Sequence, residues 1–232
     1  MNTAWDELTA EDCIRRVSAE HGDGLVMSTS FGIQAAVLLH MTVRIKPDVR
    51  VVWVDTGYLP AETYRYAETL TRDLQLDVAV VQSEMSPARM EALYGRLWAS
   101  VSRDDLDLYD RLRKVEPMKR AFRELGATAW VAGVRAEQTS HRRSLSRVMR
   151  QWGILKVHPL LHWTAGDVDR YLAEHDLPRH PLEARGFRTV GDHHSSRPTT
   201  VDDRDERATR FRGVKQECGL HLEVEGPPLF TY

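Results

Sequence analysis

Leu25-Val26-Met27-Ser28-Thr29-Ser30-Phe31-Gly32-Ile33-Gln34-Ala35-Ala36-Val37 contains two different periods side by side. Leu25 to Ser28 is a short apolar run without polar alternation, the pattern of a strand covered on both faces. From Ile33 the apolar residues fall at 33, 37, 41 and 45, a helical spacing that lasts to about Lys46. Thr29 to Gly32 between them is a turn. Strand, loop and helix in immediate succession make the opening unit of a parallel sheet.

The unit repeats outward from there. Pro47-Asp48 breaks the helix, Val51 to Val54 reads as a second buried strand, and Asp55-Thr56-Gly57 turns the chain into a helix opening at Pro60-Ala61-Glu62, with Pro at a tolerated first-turn position. Asp77 to Val81 supplies a third strand, Ala129 to Val134 a fourth and Ile154 to Val157 a fifth, with helices expected over 87–98 and 117–125. Ahead of the first strand, Thr9-Ala10-Glu11-Asp12 resembles a capping box that opens a helix through about His21. Cys13 falls in its first turn near Ile14 and Val17 and reads as packing. Thr164-Ala165-Gly166-Asp167 caps a last helix that ends before Pro178. The expected class is α/β, a mostly parallel five-stranded sheet with helices on both faces. Beyond Pro178 the periodicity fades into a polar C-terminal tail, dividing the chain into an α/β domain over 1–178 and a C-terminal segment over 179–232 that carries Cys218.

At 232 residues, 42% hydrophobic and 28% charged, the chain has the composition of a globular protein with a sizeable core. Met1 to Asp6 is not a basic start followed by an apolar run, and no 18-residue apolar stretch occurs, so neither a secretory signal nor a spanning helix is expected. Cys13 and Cys218, far apart in sequence, are the two cysteines, and a reducing cytoplasm is the expected location. The net charge of −2 says little about partners, but its distribution says more. Arg197, Arg204, Arg207, Arg210, Arg212 and Lys215 outnumber Asp202, Asp203, Asp205 and Glu206 just ahead of Cys218. Such a run is ordinarily a solvated face. Its place beside a thiol suggests anion binding.

Lys215-Gln216-Glu217-Cys218-Gly219-Leu220-His221 sets that thiol among charged residues, outside any apolar period. Lys215 and His221 supply the positive field that favours a thiolate, with Glu217 opposing them. In an open parallel sheet ligands sit beyond the carboxyl ends of the strands. Three polar segments fall there: Ser28 to Gly32, which offers hydroxyls and amides at the start of a helix; Asp55 to Tyr58; and Gly133-Val134-Arg135, followed by Arg142 and Arg143. The first has neither the Gly-Lys-Ser/Thr of a Walker loop nor the three glycines of a dinucleotide fingerprint. Together they suggest a phosphorylated ligand.

Ser28 to Gly32, Asp55 to Thr63, Lys114-Val115-Glu116-Pro117-Met118, Gly133 to Gln138, Val190-Gly191-Asp192 and Glu217 to His221, in this order and spacing, resemble the assimilatory, thioredoxin-dependent phosphoadenylyl-sulfate reductases. The resemblance implies an adenine-nucleotide α-hydrolase-like fold, a homodimer, and reduction of 3′-phosphoadenylyl sulfate to sulfite and adenosine 3′,5′-bisphosphate. It implies Cys218 as the nucleophile and Ser28, Ser30, Phe31, Gly32, Asp55, Thr56, Gly57, Lys114, Arg135, Arg207, Arg210 and His221 as substrate-binding residues. It also implies no bound cofactor, with reduced thioredoxin or glutaredoxin as external electron donor. The related adenylyl-sulfate reductases carry four cysteines for an iron–sulfur cluster; here the matching positions are Tyr109, Asp110, Asp192 and Ser195, which offer no thiolate. His193 and His194 are adjacent, a poor clamp for a metal, and none is expected. Two other readings stay open at this point: a cluster-free reductase of adenylyl sulfate, and a pyrophosphatase-type nucleotide-binding module. The second lacks the Ser-Gly-Gly-x-Asp-Ser loop of that group.

Overall fold

In the computed structural model, which describes residues 3–203, 207, 209–215, 217 and 219–221, six strands form one sheet. They are β1 (Leu25–Thr29), β2 (Arg50–Val54), β3 (Asp77–Val81), β4 (Ala129–Ala132), β5 (Val148–Gln151) and β6 (Ile154–Val157), in the order β3-β2-β1-β4-β6-β5. Every pairing is parallel except β5 with β6. The chain builds outward from β1 to β3, then returns to the other side of β1 with β4. The strand order therefore reverses between β1 and β4, where a crevice opens at the carboxyl ends.

The nine helices found among the described residues are α1 (Thr3–Asp6), α2 (Ala10–His21), α3 (Ala35–Ile45), α4 (Ala61–Asp73), α5 (Pro87–Tyr94), α6 (Arg103–Asp110), α7 (Glu116–Glu124), α8 (Ser140–Arg143) and α9 (Ala165–Glu174). Alternate residues of each strand face opposite ways. Leu25 and Met27, Val51 and Trp53, and Ala129 and Val131 pack with Ile14, Leu39, Leu70 and Leu172 of α2, α3, α4 and α9. Val26, Val52, Trp130 and Ala132 turn the other way, onto Met118, Ala121 and Phe122 of α7. Both faces are covered, which explains the near-continuous apolar runs. Thr9 caps α2 by accepting the Asp12 N–H at 3.1 Å, and Cys13 is fully buried behind that cap, as its position in the first turn suggests.

The sheet has six strands, not five. The additional one, β5, is an edge strand joined to β6 by Trp152 and Gly153, both at positive φ (55° and 82°), the geometry of a tight two-residue hairpin turn. Its half-exposed sequence Val-Met-Arg-Gln carries no continuous apolar run, and Trp is not among the residues that usually mark such turns. Gly95, at φ 73°, stops α5 at Tyr94, so the expected helix over 87–98 is cut short. α6 has no counterpart among the helices expected from the sequence; it runs through a π-helical turn, Arg111–Val115, into α7.

Candidate active site

A cleft of about 220 Å³ lies at the carboxyl ends of β1, β2 and β4. Its near wall is the loop between β1 and α3. Ser28 Oγ accepts the Trp130 indole N–H at 2.7 Å, and Thr29 Oγ1 accepts the Phe31 N–H at 3.0 Å. Phe31 sits at φ 46°, a conformation that costs a bulky residue roughly 1–3 kcal/mol. Its fully buried ring, edge-on to Trp53 with centroids 4.9 Å apart, offsets that cost and pins the loop. Ser28, Ser30 and Gly32 line the cleft, and Phe31 does not.

The β2 turn is built the same way. Asp55 Oδ1 accepts the Gly57 N–H at 2.8 Å and the Tyr64 hydroxyl at 2.6 Å, and Oδ2 accepts the Gln82 amide at 2.7 Å. Gly57 has φ 77°, and a Cβ there would meet Pro87 Cγ at 2.8 Å. Asp55 and Gly57 lie outside the lining; they shape the turn that brings Thr56 into it.

From the far side, the π turn carries Lys114 inward. A π turn holds one residue more than an α turn and recurs at functional sites. Here it buries both Arg113 and Lys114. Arg113 donates to the carbonyls of Thr56 and Met85, tying the turn to the β2 loop. Lys114 Nζ lies 3.0 Å from Asp110 Oδ1 and 2.9 Å from Asp192 Oδ2. Asp192, fully buried, also accepts the hydroxyls of Thr56 and, at 3.0 Å, Tyr109. Burial alone would raise its pKa, but the Lys114 ammonium, the Thr56 hydroxyl and the His194 and Arg210 charges hold it well below the usual carboxylate range. Lys215 extends the network from the C-terminal segment, bridging Asp107 and, at 2.7 Å, Asp110. Tyr109, Asp110 and Asp192 thus converge on one lysine.

Lys114, Arg135, Arg142, Arg188, Arg207 and Arg210 all line the cleft, against the single carboxylate of Asp192 among the described residues. Their surroundings differ. Arg135 is held by Gln34 at 2.6 and 3.0 Å and by Glu137. Arg210 donates to Ser196 Oγ at 2.6 Å and fills the space over Gly191, where a Cβ would stand 2.6 Å from its Cζ. Arg207 reaches Glu217 Oε1 at 3.9 Å. Arg142 grips Glu217 with Nε to Oε1 and Nη2 to Oε2, both 2.9 Å, while Thr139 Oγ1 donates to Oε1 at 2.8 Å. Burial would raise the pKa of Glu217; Arg207 and Arg142 lower it below the usual range. Beyond it, the Leu220 carbonyl accepts from Lys156 Nζ at 3.1 Å and Gln151 Nε2 at 3.2 Å, and Leu220 lines the cleft.

The structure therefore brings Ser28, Ser30, Gly32, Thr56, Lys114, Arg135, Arg207 and Arg210 together. Cys218 and the side chain of His221 lie outside the described residues. Arg142, Asp192 and Glu217 are the functional candidates whose partners sequence alone did not indicate. A Gln-Thr-Ser-His-Arg stretch after a strand end and an acid beside a thiol were the available signals.

The domain model of the phosphoadenosine phosphosulfate reductase family matches residues 24–198. The chain belongs to this family. Among its relatives, a phosphoadenosine 5′-phosphosulfate reductase of Synechococcus sp. is 57% identical over 96% of each chain. One of Photobacterium profundum is 42% identical over 96% of this chain and 87% of its own. A phosphoadenylyl-sulfate reductase from Candida auris, solved as a phosphate complex, is 29% identical with a TM-score of 0.70, covering 84% of this chain and 93% of that one. FMN adenylyltransferase from Candida glabrata, at 14% identity and a TM-score of 0.58 over 88% of this chain and 69% of its own, shares the fold alone. The family match takes in β1 through the Asp192 loop, the part of the chain that forms most of the cleft wall.

Proposed function

We propose that the protein reduces 3′-phosphoadenylyl sulfate to sulfite and adenosine 3′,5′-bisphosphate, with Cys218 as nucleophile and a reduced dithiol protein of the thioredoxin or glutaredoxin type as electron donor. The observation that carries this reading is a strongly cationic cleft at a strand-order reversal, with Glu217 and Leu220, on either side of Cys218 in sequence, both seated against it. Family membership supports the same substrate. Sulfate resists nucleophiles until an anhydride bond to a phosphate gives it a leaving group, and positive charge must screen two anions as they meet. Lys114, Arg207 and Arg210 supply that screen, and Arg135 does so after exchanging Glu137 for the ligand.

The Cys218 thiolate attacks the sulfate sulfur, a sulfur–sulfur bond forms, and the sulfur–oxygen bond to phosphate breaks with its electron pair leaving on the nucleotide. The donor's thiolate then attacks the Cys218 sulfur, releasing sulfite and forming a mixed disulfide. The donor's second thiol resolves it, so the donor ends as a disulfide and Cys218 as a thiol. Cys13 is fully buried, and burial raises its thiol pKa, so it does not serve as the resolving thiol.

Substrate without donor should leave at most one sulfonate per chain on the Cys218 peptide, seen by mass spectrometry. Cys218→Ser should make none while still binding nucleotide, and a donor lacking its resolving cysteine should be trapped on Cys218. Running the assay with and without the 3′-phosphate separates the two nucleotide substrates. Catalytic sulfite production without any thiol donor, or an adduct on Cys13, would overturn the scheme. Homodimeric assembly and a cytoplasmic setting are proposed with it, on the family resemblance and the cysteine usage.

A further inference from the structure

Glu217 occupies a site suited to an anion that is free to come and go. Thr139 is fully buried and Arg142 is 4% exposed, and both direct their donors at the two oxygens of one carboxylate. A guanidinium fork paired with a hydroxyl fits two oxygens of a tetrahedral oxyanion as well as it fits a carboxylate. Both donors are held apart from Glu217, since Arg142 Nη1 donates to Gln138 Oε1 and the Thr139 hydroxyl oxygen accepts the Arg142 backbone N–H. The fork therefore keeps its aim when the carboxylate leaves. Arg142 also lines the cleft, so the site opens on the same space as Lys114 and Arg210.

Glu217 precedes Cys218 by one residue. On the proposed reaction, which this inference rests on, Cys218 must meet a protein partner, and withdrawing it draws Glu217 off Arg142. A buried guanidinium and hydroxyl stripped of their anion are strongly unfavourable, so the site favours a replacement. We propose that Thr139 and Arg142 form a second oxyanion subsite, masked by Glu217 while its carboxylate is docked and filled by a sulfur or phosphorus oxyanion when that carboxylate withdraws. Glu217 is then an internal competitor, and anion occupancy promotes release of the segment that bears the thiol.

The test uses the full chain with neither nucleotide nor dithiol, so its failure is distinguishable from failure of the sulfonate scheme, which the single-turnover adduct reports separately. Inorganic sulfate should accelerate iodoacetamide alkylation of Cys218 saturably in the wild type, beyond sodium chloride of equal ionic strength. Glu217→Gln should react fast without sulfate and bind sulfate at least tenfold more tightly by calorimetry. Glu217→Gln with Arg142→Gln should lose that gain; if this variant does not fold, Arg142→Lys, which keeps the charge and removes the fork, should reduce it. Sulfite competing with sulfate identifies the released product as the occupant, and adenosine 3′,5′-bisphosphate competing identifies the nucleotide phosphate. Unchanged sulfate affinity in Glu217→Gln, sulfate that slows Cys218 alkylation in the wild type, or binding that neither sulfite nor the nucleotide displaces would overturn the proposal.

Discussion

Gly191→Ala should impair substrate binding while leaving the fold nearly untouched, because the added methyl takes the place of one guanidinium. A Cβ at 191 would stand 2.6 Å from Arg210 Cζ and nearer still to both terminal nitrogens. Optimal carbon–carbon contact is about 3.5–4.0 Å, so the group must retreat by roughly 1 Å. Gly191 is not in the left-handed region, so Ala brings no backbone strain, and the clashing atoms are the end of a flexible side chain. The retreat breaks the Ser196 contact and misplaces a cation on the cleft wall. A hydrogen bond to a charged group contributes about 1.5–3 kcal/mol, which converts to roughly a tenfold to 150-fold rise in Kd. Calorimetry with adenosine 3′,5′-bisphosphate and the KM for sulfite release would read it, with thermal unfolding as the control for fold. Arg210→Ala should show a similar loss, and the double variant little more than either alone, since both act through one guanidinium. Additive losses, or unchanged binding in Gly191→Ala, would refute the claim that this glycine exists to seat Arg210.

Asp192→Asn should destabilise the protein by about 3–5 kcal/mol, the usual cost of removing one partner from a buried ion pair, and weaken nucleotide binding as Lys114 loses its fixed position; a melting temperature equal to wild type would exclude this. Stability should fall as pH drops from about 6.5 towards 4. Burial pushes His158 down to about 3 and His180 and His194 to about 4, so over that range the unfolded chain binds protons that the folded one refuses. For the nearly completely buried His158 the slope is about 1.4 kcal/mol per pH unit. Asp192 and Glu217, both depressed, add stability present above the ordinary carboxylate range and lost as pH falls through it. Urea midpoints that stay flat between pH 7 and pH 5 would contradict this. Cys13→Ser should cost about 1–3 kcal/mol of stability by burying a hydroxyl, yet leave turnover intact; a folded variant with lost turnover would give Cys13 a role in the chemistry.

The parallel core was legible because a strand buried on both faces must be written as an apolar run, as Val51 to Val54 and Ala129 to Ala132 are. The polar strand ends were legible too, since Ser28, Thr56 and Arg135 interrupt those runs where the cleft opens. β5 was hidden because an edge strand needs neither a full apolar face nor, with Trp152 in the turn, a recognisable hairpin signal. Arg142 with Glu217 and Lys114 with Asp192 were hidden for another reason. Each pair is more than seventy residues apart, and no local pattern says which acid meets which base. Phe31 is a different case: its place in the family motif implied a ligand-binding residue, and its ring packs edge-on against Trp53 while Ser30 and Gly32 on either side of it line the cleft.

The π turn between α6 and α7 makes the length of the chain, and not only its composition, a determinant of where Lys114 stands. Five residues are accommodated at 111–115 by hydrogen bonds one step wider than those of the flanking helices. Removing Leu112 would let ordinary helical bonding close across the turn as far as Pro117, whose missing N–H interrupts the ladder, and each residue of an α-helix advances the side chains by about 100°. Lys114 would be carried off the cleft as surely as if it had been replaced, although every charged residue remained in the sequence. An alignment gap in that one turn would therefore move a lysine of the cleft wall where a count of matching residues would register almost nothing.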